Sequence, residues 1–168
     1  MAETNTKYKL KLNQLRKYIL SDRFEEVLID EDDRDTVDNV CLAIADSKGD
    51  IDHLLSRQPR LLMLCGYLRE KYLAKSVTQD DEYKRVVADQ GDKVRAAIVE
   101  SKRRATEKLV AQLVTKRKSV IEAKRLARVA LELSGHLAYF YAVADSRKYT
   151  LQELSKRERQ REEEDYSG

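Results

Sequence analysis

The longest regular pattern of apolar residues runs from Ser119 to Lys148. Within it, apolar side chains recur in steps of three and four residues, which is the spacing of one face of an α-helix. The members of this first stripe are Ala123, Leu126, Ala130, Leu133, Leu137, Phe140 and Ala144. A second stripe beside the first contains Ala127, Leu131, Ala138 and Tyr141. Two adjacent apolar stripes predict a helix that is buried on two sides, within a helical bundle or an oligomer core.

Further helical patterns precede this helix. Helical spacing of apolar residues predicts helices over about 8–20 and 35–47, joined by an acidic connection that can hold a short helix at 24–28. Gly49 is expected to end the second of these helices, and Asp50 to cap the next one. A short segment with apolar residues follows at 105–114. Pro59 predicts the end of a short helix over 50–57 and the start of a new one, because proline restricts the residue before it and suits a first helical turn. That new helix either breaks near 76–80 or continues without interruption to about 104.

Helix boundaries after residue 114 are predicted from local polar signals. Ser119 with Glu122, and Thr150 with Glu153, have the S/T-x-x-E spacing of a capping box. The sequence therefore predicts that the long helix begins near Ser119, that a break occurs near Tyr149, and that a last helix follows. From about residue 156 the chain is almost wholly charged, which is typical of frayed or disordered segments.

These patterns together predict an all-α fold, in which a long helical hairpin carries smaller packing helices and oligomerises through the apolar helix. The predicted segments are an N-terminal helical extension with an acidic region (1–49), the hairpin domain (50–156) and a charged flexible tail (157–168). The chain of 168 residues has one proline and five glycines, which suits long helices. With two Phe and no Trp its core is thin, which favours self-association, and a closed ring is the expected assembly. The predicted oligomer interface contains Leu126, Leu133, Leu137, Phe140 and Tyr141.

Charge is strongly segregated along the chain, although the net charge is only +3. Residues 22–52 contain twelve acidic and three basic side chains, whereas residues 93–128 contain twelve basic and three acidic ones. A local, one-signed excess of positive charge favours a polyanionic partner. Two roles are open for the acidic region, which are to shield the basic region or to contact a basic protein.

The basic region supplies the candidate binding residues. A phosphate backbone is the expected ligand, with an affinity that falls as salt rises. The alternative is that these side chains form an ordinary solvated face of the helices. The predicted nucleic-acid-binding residues are Lys93, Arg95, Lys102, Arg103, Arg104, Lys116, Arg117, Lys118, Lys124, Arg125 and Arg128. Tyr83 and Tyr149 are candidates for stacking on unpaired bases, although buried tyrosines are the commoner outcome.

No arrangement of residues predicts catalysis, a metal site or a cofactor. The two histidines are His53 and His136, and the apolar neighbours of His136 indicate a core or interface polar group. Cys41 and Cys65 lie in apolar runs without metal-ligand spacing, as is typical of reduced core cysteines in a cytoplasmic protein. The sequence predicts neither a signal peptide nor a membrane span, because the longest apolar run, Ala138–Ala144, is too short.

Four stretches carry a resemblance to a known family. They are IDHLL at 51–55, QPRLL at 58–62, RATEKLV at 104–110 and ADSRKYTLQEL at 144–154. In these stretches and in the order of its helices, the chain resembles UvsY-type recombination mediators of tailed phages over about residues 50–156. The chain departs from the family in two ways. The family often has an aromatic residue early in its first long helix, where this chain offers only Tyr67 or Tyr72. This chain also has an additional acidic N-terminal region.

The resemblance implies a ring-forming helical protein that binds single-stranded DNA. Such mediators help a RecA-like phage recombinase to replace the single-strand-binding protein, in the cytoplasm of the bacterial host. The family carries a Lys-x-Arg motif late in its first long helix, and Lys93-Val94-Arg95 matches it. The alternative function is a non-enzymatic phage scaffold or assembly protein whose partner is a protein.

Overall fold

A computed structural model describes residues 14, 16–21, 31–45, 50–101 and 104–167. Every regular element within these residues is helical, which confirms the predicted all-α class. A single helical turn covers residues 16–19. The helices that follow are α1 (Glu31–Ala45), α2 (Ile51–Glu100), α3 (Glu107–Val114) and α4 (Lys118–Ser167). Of the helices described, none has the length and apolar character that a membrane span requires.

The chain divides into two compact units. The central unit is Tyr72–Ser134, and the terminal unit consists of the described residues up to Lys71 together with those from Gly135 onward. Both units contain a part of α2 and a part of α4. The boundaries of these units therefore differ from the boundaries at residues 49 and 156 that the sequence predicts.

Helix α1 contributes its predicted face to the core of the terminal unit. Val37, Val40, Cys41 and Ile44 recur at helical spacing, and all four are buried. The helix begins at Glu31, four residues earlier than predicted. Burial raises the pKa of the Cys41 thiol to about 12, and therefore this side chain is a protonated core group at neutral pH.

Helix α2 continues through Pro59, so the break predicted there is wrong. Pro59 is exposed and costs the helix one backbone hydrogen bond, about 3 kcal/mol in a helix interior. The apolar face nevertheless runs without interruption across this position, since Leu54, Leu61 and Leu68 are all buried. Tertiary burial offsets the local penalty. The alternative in which α2 has no break at 76–80 is also confirmed.

Buried groups of α2 and α4 meet in the terminal unit. Gln58 is only 1% exposed, and its Nε2 donates a hydrogen bond to the carbonyl oxygen of Ala144 at 2.6 Å. A Cβ added at Gly66 would lie 3.6 Å from Cε2 of Tyr141, so the two helices approach closely there. Phe140 is fully buried on the same stretch of α4.

A small apolar core lies within the central unit. The late part of α2 contributes Val94 and Ile98, α3 contributes Val110 and Val114, and the start of α4 contributes Val120. Helix α3 is capped by Thr106, whose side chain accepts a hydrogen bond from the backbone N–H of Leu109 at 3.4 Å. The short segment at 105–114, to which the sequence assigned no secondary structure, is thus helical from Glu107 to Val114.

Helix α4 is longer than predicted, and neither capping box acts as a cap. Ser119 is already inside the helix, and Glu122 pairs with Arg125 instead of reaching back. The break near Tyr149 is wrong, because Thr150 is helical and its hydroxyl donates to the carbonyl of Ser146 at 3.2 Å. The helix extends to Ser167, so the predicted end of helical structure near residue 156 is also wrong.

Three residues assigned to an oligomer interface are core residues of the single chain. Leu133, Leu137 and Phe140 are 0%, 1% and 0% exposed. They have no surface to present to a second copy in this fold, so their assignment is corrected to the interior. Leu126 and Tyr141 are half-buried, and their role in an interface stays a prediction.

Several predictions fall on residues that the structure does not describe. Most of the predicted helix at 8–20, the short helix at 24–28 and Gly49 as a helix stop lie outside the described residues. Asp50 is described, and its Oδ1 accepts a hydrogen bond from the N–H of Asp52 at 3.4 Å, as expected at the start of α2.

Candidate nucleic-acid interface

The basic residues selected from the sequence all belong to the central unit. Nine of the eleven are described, and each is exposed. Lys93 and Arg95 lie on α2, Arg104 lies between α2 and α3, and the remaining described ones lie at or after the end of α3. Lys102 and Arg103 lie outside the described residues.

Lys93 and Arg125 each form an ion pair with a residue of their own helix. Lys93 Nζ lies 2.7 Å from a carboxylate oxygen of Asp89, and Arg125 Nη2 lies 2.8 Å from one of Glu122. The hydrogen bonds lower the pKa of both carboxyl groups, Asp89 and Glu122. Because exposed pairs one helical turn apart contribute little stability and are screened by salt, a phosphate can compete for either cation.

Arg95 links two elements of the central unit. Its guanidinium lies 3.1 Å from a carboxylate oxygen of Glu107, the first residue of α3, and 3.1 Å from one of Asp92 on its own helix. The hydrogen bond with Glu107 raises the pKa of Arg95. This side chain therefore helps to orient α3, which makes it a weaker candidate for DNA contact than the resemblance implies.

The other predicted cations have no ion pair within the described residues. They are Arg104, Lys116, Arg117, Lys118, Lys124 and Arg128. Arg104 precedes α3, whereas Lys116 and Arg117 follow it. An eight-residue helix is about 12 Å long, so α3 places roughly that distance between the basic residue before it and the basic residues after it. The structure thus brings these cations into one compact unit without neutralising them.

One exposed face of α4 combines basic and apolar side chains. Ile121, Lys124, Arg128 and Leu131 follow one another at steps of three, four and three residues, which places them on the same side of the helix. Ile121 is 55% exposed and Leu131 is 67% exposed. We call these four residues the α4 stripe. Such a surface combines cations for phosphates with apolar groups for the faces of unpaired bases.

Sequence reasoning did not select the apolar members of this stripe. It read Leu131 as part of a second buried face, whereas the structure exposes it, and it gave Ile121 no role. The helical spacing of both residues from Lys124 and Arg128 is the signal that would have found them. The predicted binding residues also omit Lys108, which lies in the first turn of α3. It is exposed and has no ion pair in the described structure.

Neither candidate for base stacking is supported by its position. Tyr83 is half-buried and packs against the valine core of the central unit, so its ring is a structural group. Tyr149 is 59% exposed but belongs to the terminal unit.

The histidine and cysteine side chains of the described residues have packing roles. His136 is half-buried with its ring edge-on to Tyr18, at a centroid distance of 4.9 Å, in agreement with the predicted packing role. Among the described residues no three His, Cys, Asp or Glu side chains come together as a metal site. Burial also raises the pKa of the Cys65 thiol to about 12, which makes it a poor nucleophile.

Comparison of the chain with protein-family models, with curated proteins and with solved structures finds no match. The resemblance to recombination mediators therefore depends on the sequence pattern alone.

Proposed function

We propose that this chain binds single-stranded DNA without sequence preference and acts as a recombination mediator. In this role it helps to load a RecA-like phage recombinase in place of the single-strand-binding protein. The observation that carries the DNA-binding part is that six of the predicted cations are exposed in the central unit and have no ion pair in the described residues. The mediator part is supported by the resemblance of sequence pattern.

Physical chemistry favours a polyanion at this surface. Each exposed lysine or arginine that contacts a phosphate releases condensed counterions, which is the main source of non-specific affinity. Lys124 and Arg128 lie one helical turn apart on the α4 stripe, and Ile121 and Leu131 flank them. Unpaired bases expose apolar faces that a duplex keeps stacked, so this mixed stripe favours a single strand over a duplex.

The predicted hairpin and homo-oligomer belong to the same proposal. Contacts within each unit support the pairing of α2 with α4. In the terminal unit, Gln58 of α2 bonds to α4. In the central unit, Val94 and Ile98 of α2 share a core cluster with Val120 of α4. A ring of several copies would align many weak basic sites along one strand and raise the overall avidity. Leu126 and Tyr141 remain as predicted interface residues.

The DNA-binding proposal is tested by fluorescence anisotropy with a labelled oligonucleotide over a series of salt concentrations. The double variant Lys124→Gln/Arg128→Gln should bind more weakly, and the slope of log affinity against log salt should fall by about 1.4, which is about 0.7 for each lost contact. The matched control is Arg85→Gln, because Arg85 is an exposed cation of the same unit that already pairs with Glu82 at 2.7 Å. Absence of binding at low salt, or equal slopes for both variants, would refute it.

The mediator part needs a separate measurement. Wild-type protein should shorten the lag before a RecA-like recombinase becomes active on single strands coated with single-strand-binding protein, and the double variant should not. If DNA binding is found but the lag is unchanged, the chain binds DNA for another purpose.

A second candidate function is a helical scaffold that binds a protein. It is favoured by Met63 and Tyr67, which are 65% and 55% exposed one turn apart on α2. If no oligonucleotide binds, this candidate replaces the first. Substitution of Met63 by Gln should then weaken capture of the protein partner without changing the helical content.

A further inference from the structure

A cavity of about 640 Å³ opens within the terminal unit. Helix α1 and the early part of α2 form its walls, and Arg147 of α4 also lines it. Buried apolar side chains form its interior, among them Val40, Leu54 and Leu61, which are 1%, 7% and 7% exposed. Small-molecule sites have volumes of about 300–1,000 Å³ and combine apolar walls with a few polar groups, so this cavity is of the right size and character.

Three arginines line this cavity, and the described residues that line it include no acidic side chain. Arg57 and Arg60 are exposed on α2 and have no ion pair in the described structure. Arg147 is half-buried, and its Nη1 donates a hydrogen bond to Oε1 of Gln58 at 2.8 Å. Arg57 and Arg60 therefore place positive charge at the mouth of the cavity, and no acidic side chain of the described lining offsets it.

Gln58 gives this arrangement a fixed geometry. It is 1% exposed and bonded at both ends, to the carbonyl of Ala144 at 2.6 Å and to Arg147. A buried amide with both groups satisfied has a single orientation, and the guanidinium that it holds is positioned beside the cavity rather than free in solvent.

We propose that this cavity binds an organic anion, with a phosphate or carboxylate head at Arg57 and Arg60 and an aliphatic body against Val40, Leu54 and Leu61. Guanidinium groups match both kinds of head, because they donate parallel hydrogen bonds to two oxygens. An aliphatic body fits better than a nucleobase, since the described lining contains no aromatic ring for stacking. The site is independent of the DNA surface, which lies in the central unit.

Calorimetric titration of the full chain tests this site, with hexyl phosphate and heptanoate as the two probes. At least one should bind at a single saturable site. The neutral compound hexyl glucoside should bind much more weakly. Preference for hexyl phosphate would identify the natural ligand as a phosphate ester, and preference for heptanoate as a carboxylic acid.

Arg57→Gln and Arg60→Gln should each weaken binding of the preferred anion by about tenfold, the effect of removing one charge-assisted hydrogen bond. The matched control is Arg157→Gln, an exposed arginine of the same unit that does not line the cavity, and it should leave the affinity unchanged. Equal affinity for hexyl glucoside, or no saturable binding of either anion, would overturn the proposal, as would no effect of either cavity variant.

A measurement on the unaltered chain makes the test independent of the folding of any variant. In two-dimensional amide NMR spectra, saturating anion should shift resonances of residues near Val40, Arg57 and Leu61. Shifts confined to residues 93–128 would show binding at the other basic surface and would overturn the assignment to this cavity.

Discussion

Gln58 is a buried polar residue whose side-chain amide is hydrogen-bonded through both its nitrogen and its oxygen. Its side chain bridges α2 to α4 through the bond to the Ala144 carbonyl and the bond from Arg147. In the sequence this residue appears only as the position before Pro59, where proline disfavours helical geometry. The helical conformation of Gln58 is thus maintained by contacts with residues 86 and 89 positions away in the chain.

Gln58→Met should lower the free energy of unfolding by about 1–3 kcal/mol. Methionine has a similar volume, so the loss should come from the two hydrogen bonds and from the Arg147 donor left without its amide partner. Denaturant unfolding followed by circular dichroism measures the change. Gln152→Met is the control, because Gln152 is exposed on α4 of the same unit and its loss should change stability by less than about 0.5 kcal/mol. Equal effects of the two substitutions would contradict this role.

At the scale of elements, α4 shows which of two adjacent apolar stripes faces the interior. Both stripes have helical spacing and similar composition, so the pattern alone does not rank them. The structure buries Leu133 and Leu137 of the first stripe and exposes Leu131 and Ala138 of the second. Leu131 and Leu133 are only two residues apart, yet the helical rotation between them places one in solvent and the other in the core.

Leu133→Ala should therefore destabilise the chain by about 2–5 kcal/mol, the cost of removing a fully buried leucine side chain. Leu131→Ala should change stability by no more than about 0.5 kcal/mol, because its side chain is 67% exposed. Thermal unfolding of the two variants beside the wild type makes the comparison. Similar losses for both would mean that the second stripe is also buried, as it would be in an oligomer.

At the scale of the whole molecule, the two compact units differ in how their cores are built. The terminal unit buries long runs of α2 and α4, including Leu61, Cys65 and Leu68. Within the central unit, one core cluster has five buried residues, and α3 contributes only Val110 and Val114 to it. A helix of eight residues has little stability of its own, so α3 depends on these two contacts and its cap.

Amide hydrogen exchange should therefore be faster in α3 than in residues 61–68 of α2. Local opening of α3 exposes two valines, whereas opening of the α2 segment disrupts the continuous core of the terminal unit. Mass spectrometry of peptides from the two regions measures both rates on one sample. Protection of α3 equal to that of residues 61–68 would show that the chain opens as a single cooperative unit.

Local signals in the sequence were sufficient for much of this fold and for the composition of the candidate DNA surface. Helical periodicity identified α1 and the two apolar stripes of α4, because the spacing of apolar residues shows which faces of a helix can pack against a neighbour. The charge count placed the basic residues within residues 93–128, and they remain exposed. Both properties are encoded by neighbours a few positions apart.

Only the tertiary structure decided where helices continue and which surfaces are free. Pro59, Thr150 and the charged residues after 156 each predict an interruption, yet α2 and α4 run through them. The cavity with its three arginines also joins residues from three helices that are distant in sequence. Residues 156–166 are exposed, and α4 continues there without burial of its side chains. At Pro59 and Thr150 the physical reason is burial of neighbouring side chains such as Leu54, Leu61 and Leu151, which outweighs penalties of a few kcal/mol from local preference. A sequence pattern does not reveal which distant side chains will meet.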